Sequence, residues 1–243
     1  MRGPMLRGFV MTAALRREKS MAMKWAAILV ALFGTLCGCT TTTIDQVRHG
    51  YTGINQGEHI VILGRRHSSD DETEVDFIRC VGDDIAAQEG AGIQVIPESQ
   101  FADSLYPWFE PRTAPLRMNG LKNLLRQADI ATRINELGIR YMIWIDGSTQ
   151  KTSSVGSIAC SIGPGGCLGF GMWENESEYE ATVWDLANLK SVGQIRADAK
   201  GTSYMPAVVV PIPLIARVKS SACKGMGEQL NHFLSPGGQI VGE

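Results

Sequence analysis

Cysteines are the residues of this sequence best suited to chemistry, because a thiol can be oxidised to a disulfide, acylated or bound to a metal. The chain has 243 residues and six cysteines. Two of these, Cys37 and Cys39, end an apolar run that begins at Trp25, directly after Lys24. The run is about a dozen residues long, whereas a membrane-spanning helix needs roughly 20. The segment is therefore typical of a cleaved export signal.

The last four residues of this segment, Leu36-Cys37-Gly38-Cys39, resemble the lipobox of bacterial lipoproteins. The resemblance implies that residues 1–38 are a signal peptide and that Cys39 becomes the amino terminus and carries the lipid, palmitate included. Thr40 stands where an aspartate favours inner-membrane retention in enteric lipoproteins, so the resemblance implies the periplasmic face of the outer membrane. The alternative is an ordinary secretory signal with Cys39 unmodified.

Two properties of the chain concern this leader: where translation starts, and the net charge that remains after the leader is removed. Residues 1–20 are either part of it or an untranslated extension, because Met21 and Met23 also give an ordinary leader. The whole chain has 23 basic and 25 acidic residues, and positions 1–38 contain six of the basic residues and one of the acidic ones. The mature chain therefore has 17 basic and 24 acidic residues, a net charge of −7. Nucleic-acid binding depends on clustered Lys and Arg, so nucleic acid is an unfavourable partner.

Four cysteines remain in the mature chain besides Cys39, and an even number in an exported protein favours disulfides. Of the three connectivities, we favour Cys160–Cys167, which closes a glycine-rich loop, and Cys80–Cys223, which joins an early helix to the last one. A zinc site is the alternative, but Cys160 and Cys167 lack the close spacing of zinc ligands. We therefore expect no metal and no cofactor.

Strand and helix patterns alternate through residues 58–235, between a polar stretch at 39–57 typical of a flexible tether and a tail at 236–243. Apolar runs predict strands, and apolar residues at helical spacing predict helices. The predicted order is strand 60–63, helix 75–88, strand 93–96, helix 97–105, one or two helices over 121–137, strands 141–145, 147–158, 178–184 and 192–199, and helix 215–233. Long amphipathic strands are not evident. The order predicts a single α/β (α+β) domain with a mixed sheet covered by helices.

Three local segments carry a resemblance to a known domain: the opening strand 60–63, the entry into a strand at 137–148, and Val183-Trp184-Asp185-Leu186 before a hairpin turn. Together with the element order, they resemble the small α/β domain of the amino-terminal part of TolB, the curli-secretion lipoprotein and the lipoprotein activators of penicillin-binding proteins. The resemblance covers about residues 58–235. It implies an envelope protein and allows a subunit of an oligomeric secretion assembly.

Patterns of known catalytic sites do not emerge. The glycines from Gly163 to Gly171 lack the following Lys and helix of a phosphate loop, so a hairpin tip is expected there. No Gly-x-Ser-x-Gly or His-Glu-x-x-His occurs. His67 with Asp70 and Glu72 could bind a cation, but a solvated turn is favoured. Asp146, at the carboxyl end of a predicted strand, is either a functional group or a turn residue, and the turn is favoured. We therefore expect no enzyme.

Two aromatic clusters are the better candidates for binding surfaces, because aromatic residues and Met are enriched in the cores of interfaces. The first contains Tyr106, Trp108 and Phe109, and the second contains Phe170 and Trp173. Each is either a protein-binding surface or a lid over the core. The apolar run Pro206–Ala216 is expected to be a buried crossover into the last helix or part of the same surface.

These features together predict a lipid-anchored, periplasm-facing envelope protein that acts as a non-catalytic, protein-binding adaptor. Its expected partners are the membrane, through the lipid, and another envelope protein. The alternative is a subunit of an oligomeric envelope secretion assembly, in which the chain would also form a homo-oligomer.

Overall fold

The structure is a computed structural model that describes residues 40–65, 73–88, 92–110, 113–161 and 165–235. Its strands are β1 (Thr40–Arg48), β2 (His59–Gly64), β3 (Gln94–Ile96), β4 (Ile139–Cys160), β5 (Cys167–Asp185) and β6 (Lys190–Pro211). Its helices are α1 (Val75–Ala87), α2 (Glu98–Ser104), α3 (Met118–Leu124), α4 (Ala128–Glu136) and α5 (Val218–Leu234). The leader, Cys39, the segment containing His67 and Asp70, and the tail 236–243 lie outside the described residues.

All six strands form one mixed sheet with the order β1-β6-β5-β4-β2-β3. β2 pairs parallel with both β3 and β4, because helices connect these strands. The pairs β4–β5, β5–β6 and β6–β1 are antiparallel. The predicted α/β class with a mixed sheet covered by helices is thereby confirmed.

Apolar side chains on successive residues of β4 enter two separate cores, because neighbouring residues of a strand point to opposite faces. Tyr141 and Ile143 belong to the core beneath α1 and α5. Met142 and Trp144 belong to the core beneath α2, α3 and α4. A strand buried on both faces has a continuous apolar sequence, and this is why strands could be predicted at residues 60–63 and 141–145. The stripe predicted for the last helix is also buried, from Val218 to Phe233.

The antiparallel strands are much longer than the sequence pattern predicted. Predicted strands 141–145 and 147–158 are one strand of 22 residues, β4, while β5 has 19 residues and β6 has 22. The expectation of no long strands was wrong because polar and small residues replace the apolar alternation beyond the helix layers. Gly147 makes the continuation possible: its φ is +137°, and a Cβ there would collide with the backbone of Glu178.

The stretch expected as a flexible tether begins instead with β1. Thr40–Arg48 pairs antiparallel with β6, from Thr40 opposite Gly201 to Arg48 opposite Gly193. The side chain of Ile44 packs against the core and lies beside Gly225 of α5. β-branched threonines suit a strand, so the polar composition of this stretch was a misleading signal. The folded unit therefore includes residues 40–48 and does not start at residue 58.

The apolar run Pro206–Ala216 is not a buried crossover. Its first part continues β6 to Pro211, and the chain then returns along the outer edge of β6, where Leu214 pairs with Tyr204. Val208, Val209 and Val210 are exposed. Pro206 is tolerated because β6 has no β1 beside it at this level, and the Pro206 carbonyl accepts a hydrogen bond from the Ile212 N–H at 3.0 Å.

Within the described ranges, the helices lack the length and apolar character needed to cross a bilayer.

Candidate functional site

Both predicted disulfides are present in the structure. Cys80–Cys223 links α1 to α5 across a Cα–Cα distance of 6.2 Å. Cys160–Cys167 joins the end of β4 to the start of β5, where the two cysteines are paired directly across the strands. The first bridge fixes two helices on one face of the sheet, and the second closes the far end of the long strands.

The first aromatic cluster is divided between core and surface. Phe109 is only 7% exposed and contacts Phe101 edge to face, with ring centroids 4.6 Å apart. Tyr106 and Trp108 remain exposed in the same loop. Phe109 therefore acts as a lid over the core, and only its two neighbours are available to a partner.

Residues of the second aromatic cluster lie on opposite faces of β5, because their positions differ by an odd number. Phe170 shares its face with Pro206 and lies 6.1 Å from Tyr204, measured between ring centroids. Trp173 is on the other face, where Lys151 Nζ lies 5.9 Å from its ring centroid. The two side chains cannot form one binding surface, contrary to the prediction.

Among the described residues, no helix covers a broad part of the sheet. On the side where α2–α4 cover β4, β2 and β3, the rest of the sheet is open, and directly paired residues share that side. One row contains Asp146, Glu180, Arg196 and Asp45, the next contains Ser148, Glu178, Asp198 and Thr43, and the third contains Gln150, Glu176, Lys200 and Thr41. With Glu174, these residues form the surface called here the open face.

Charge on the open face is strongly negative. Arg196 pairs with Glu180 at 3.2 Å and Lys200 pairs with Glu176 at 2.5 Å. The hydrogen bond to Glu176 raises the pKa of Lys200, so this lysine stays charged. Asp198 and Glu178 are direct cross-strand neighbours, and within the part of the chain that the structure describes Asp198 Oδ1 has no hydrogen-bond partner. Seven carboxylates thus face two cations, which favours a cationic partner.

Asp146 belongs to this surface and not to a strand end. It lies in the middle of β4 opposite Glu180, because β4 runs on to Cys160. The suggested cation site with His67, Asp70 and Glu72 lies outside the described residues. Within the part of the chain that the structure describes, no group of three or more His, Cys, Asp or Glu is placed to hold a metal ion.

A polar network holds the long strands where they leave the helix layers. Tyr179 donates to Glu74 Oε2 at 2.7 Å, and the Thr149 N–H donates to Glu74 Oε1 at 3.1 Å. The Thr149 hydroxyl lies 2.7 Å from that of Ser177. Burial, with the Glu74 carboxylate as a further cause, raises the pKa of Tyr179 far above its usual range. The tyrosine stays neutral and works as a fixed donor rather than as a base.

A crevice of about 560 Å³ lies beside the carboxyl ends of β2 and β3. These two strands lead to helices on opposite faces of the sheet, which is the arrangement in which α/β proteins place ligands. Its wall is mixed: the apolar residues Ile62, Val95 and Trp144 line it together with the charged residues Arg79, Glu98 and Asp103. Glu98 accepts a hydrogen bond from the Gly64 N–H at 3.2 Å. The connection between β2 and α1 lies partly outside the described residues.

The open face was missed from the sequence, although a signal existed. Glutamates at 174, 176, 178 and 180 recur at every second position, the period of a strand with one charged face. Their segment was assigned a strand only from residue 178. A longer strand would have placed all four glutamates on the same side.

Comparison with known proteins gives structural neighbours only. No protein-family model and no curated protein matches the chain. The PelC dodecamer from Paraburkholderia phytofirmans is similar at 12% sequence identity, with a TM-score of 0.36, over 80% of this chain and 99% of that chain. A point variant of it in another crystal form gives 11% identity and a TM-score of 0.34, over 80% and 98%. These scores are low, so the function is derived below from this chain's own residues.

Proposed function

We propose that this chain is a lipid-anchored protein of the outer membrane, facing the periplasm, which catalyses nothing and binds another envelope protein through the open face. The observation that carries the proposal is the open face itself: a wide area of sheet over which the described residues place no helix, with an excess of carboxylates. A sheet face of this kind does not stabilise the fold by burial, so its ordered charges are available for recognition. The partner would present a basic surface.

Site-specific photocrosslinking in the native organism tests the proposal. A photoreactive amino acid at Gln194, an exposed residue opposite Thr182 in the row next to the open face, should give one defined adduct with an envelope protein. Gln127, exposed beside α4, is the matched control position. Adding Glu178→Lys should remove the Gln194 adduct. The same adducts at both positions, or an adduct indifferent to Glu178→Lys, would contradict the proposal.

A second candidate function is a subunit of an oligomeric envelope secretion assembly. It is favoured by the outer edge of β4, which pairs with β2 only as far as Ile145. From Gln150 to Cys160 this edge has no neighbouring strand among the described residues. A long unpaired edge is a template for another chain, including a second copy. The earlier resemblance to the TolB and curli-secretion type of domain supports the same proposal.

Molar mass in detergent distinguishes the two functions. The full-length lipoprotein should be a monomer if it is an adaptor and a closed oligomer if it is an assembly subunit. A photoreactive residue at Ser157, on the free part of β4, should then crosslink to a second copy only in the oligomer. A monomer without self-adducts at Ser157 would exclude the assembly.

A further inference from the structure

Two uncharged runs of the sequence meet at one end of the molecule. Residues 152–173 and 201–216 contain no Asp, Glu, Lys, Arg or His, although 20% of the chain is charged. β4, β5 and β6 bring both runs together, because Val155 pairs with Met172, which pairs with Tyr204. We call the described part of β4 and β5 between residues 152 and 173, with β6 from Gly201 to Pro211, the ribbon end.

One face of the ribbon end is apolar and exposed. Its paired rows place Val155 with Met172 and Tyr204, Phe170 with Pro206, and Leu168 with Val208 on the same side. Leu168 is 71% exposed and Val208 is 75% exposed. A contiguous apolar surface of this kind on a protein marks a contact with another protein or with a membrane.

The direction of β1 decides between these two occupants. β1 runs away from the ribbon end, since Thr40 is opposite Gly201 and Arg48 is opposite Gly193. Residue 39, the proposed lipid carrier, is bonded directly to Thr40. The chain therefore enters the sheet at the level where the uncharged part begins, and the acyl chains and the ribbon end belong to the same side of the molecule.

The distribution of charged residues indicates the same position of the membrane surface along the strands, independently of β1. The first charged side chains beyond the ribbon end are Lys151, Glu174, Lys200 and Arg217. Lys200 is next to Gly201, the residue opposite Thr40. Trp173 and Tyr204 lie at this boundary, and such residues favour the membrane–water interface. The proposed lipid anchor and the boundary between charged and uncharged residues lie at the same position along the strands. This coincidence favours a membrane over another protein as the partner of the apolar face.

We propose that the ribbon end inserts its apolar face into the leaflet that holds the lipid anchor, with the face of Val155, Phe170 and Val208 against the acyl chains. The inference rests on the lipid anchor of the proposed function, and the open face continues on the same side of the sheet beyond the inserted part.

The depth of insertion is limited by the length of the ribbon and by its backbone. From Gly201 to Val209 is about eight residues, or ~26 Å at ~3.3 Å per residue. A hydrocarbon leaflet is about 15 Å thick, half of the bilayer core. The ribbon end is therefore inclined, which also keeps the unpaired edge of β4 near the headgroups, where its N–H and C=O groups find partners.

Fluorescence of a single labelled thiol in vesicles tests the insertion. The full-length acylated protein carrying Val155→Cys is labelled with an NBD fluorophore and placed in vesicles of phosphatidylethanolamine and phosphatidylglycerol. Ala187→Cys, in the exposed turn between β5 and β6 at the opposite end of the sheet, is the control. Because Val155 is 65% exposed, its replacement removes no buried packing. Circular dichroism verifies the fold of both variants.

The expected result is protection of position 155 from iodide by about fivefold or more relative to position 187, as for a face buried at the headgroup–acyl boundary. Acyl-chain doxyl lipids should quench position 155 and leave position 187 unaffected. Equal iodide quenching of the two positions overturns the insertion. Protection of position 155 from iodide without doxyl quenching also overturns it, since a second protein copy would then cover the face. Failure of the insertion would leave the crosslinking from Gln194 unchanged. Failure of the lipid anchor would be seen differently, because a protein without acyl chains would not bind to the vesicles.

Discussion

Thr40 lies directly opposite Gly201, so the chain joins the sheet at its first described residue. A flexible tether would let the domain move freely away from the membrane. A strand that begins next to the proposed acylated cysteine holds the domain close to the bilayer and fixes its orientation. The open face and the ribbon end then have defined positions relative to the lipid surface.

Removal of Ile44 packing tests whether β1 belongs to the fold. Ile44→Ala in the full-length protein should lower the free energy of unfolding by about 2 kcal/mol, the lower end of the cost of truncating a buried isoleucine. Urea denaturation followed by circular dichroism gives this value. The neighbouring exposed Thr43→Ala is the control and should change stability by less than about 0.5 kcal/mol. If Ile44→Ala is as neutral as the control, residues 40–48 are a tether after all.

The two disulfides should contribute unequally to stability. Cys80 and Cys223 are 143 positions apart in the sequence, and Cys160 and Cys167 are 7 apart. Loop entropy alone gives about 5 kcal/mol for the long bridge and about 2.4 kcal/mol for the short one, as upper values. Replacing both cysteines of each pair by alanine and comparing urea midpoints measures the order. Greater loss from the short pair would contradict the entropic account.

Tyr179 should make the protein sensitive to alkali. Its raised pKa means that the unfolded chain loses the phenolic proton at a lower pH than the folded one. The contribution of this tyrosine is therefore complete below the ordinary value of 10.0 and falls as the pH rises above it. Unfolding temperatures from pH 8 to 11, for wild type and Tyr179→Phe, isolate the effect from other titrating groups.

The Tyr179→Phe variant should be less stable at neutral pH, by about 1–2 kcal/mol, because the Glu74 carboxylate loses its donor. The difference between the two proteins should then narrow above pH 10. A constant difference over the whole range would show that the Tyr179 hydroxyl does not keep its proton in the folded state.

Much of the fold follows from local patterns. The buried strands and amphipathic helices were predictable because the side chains that enter a core recur at the spacing of a strand or a helix. Ile62 in β2 and Val81 in α1 are examples from the same core. Gly138, which follows the cap residue of α4, has a φ of +64°, the conformation in which glycine commonly ends a helix. The disulfide pairs followed from the placement of their elements.

Long-range features were not predictable in the same way. β1 is stabilised by pairing with β6, from Thr40 opposite Gly201 to Arg48 opposite Gly193, and no local sequence pattern indicates a partner so far along the chain. The lengths of β4 and β5 depend on cross-strand pairing beyond the core, where the residues are polar or small. The division of Phe170 and Trp173 between two faces required knowledge that both lie in one continuous strand.

We expect the thiol of Cys39 to be acylated and Cys39 to form the mature amino terminus. Intact-mass and peptide mass spectrometry of the protein purified from membranes of the native organism tests this directly. The expected result is an amino-terminal peptide that begins at Cys39 and carries a diacylglyceryl group, with an additional acyl chain on its amine. An unmodified Cys39, or a chain that still contains residues 1–38, would contradict it.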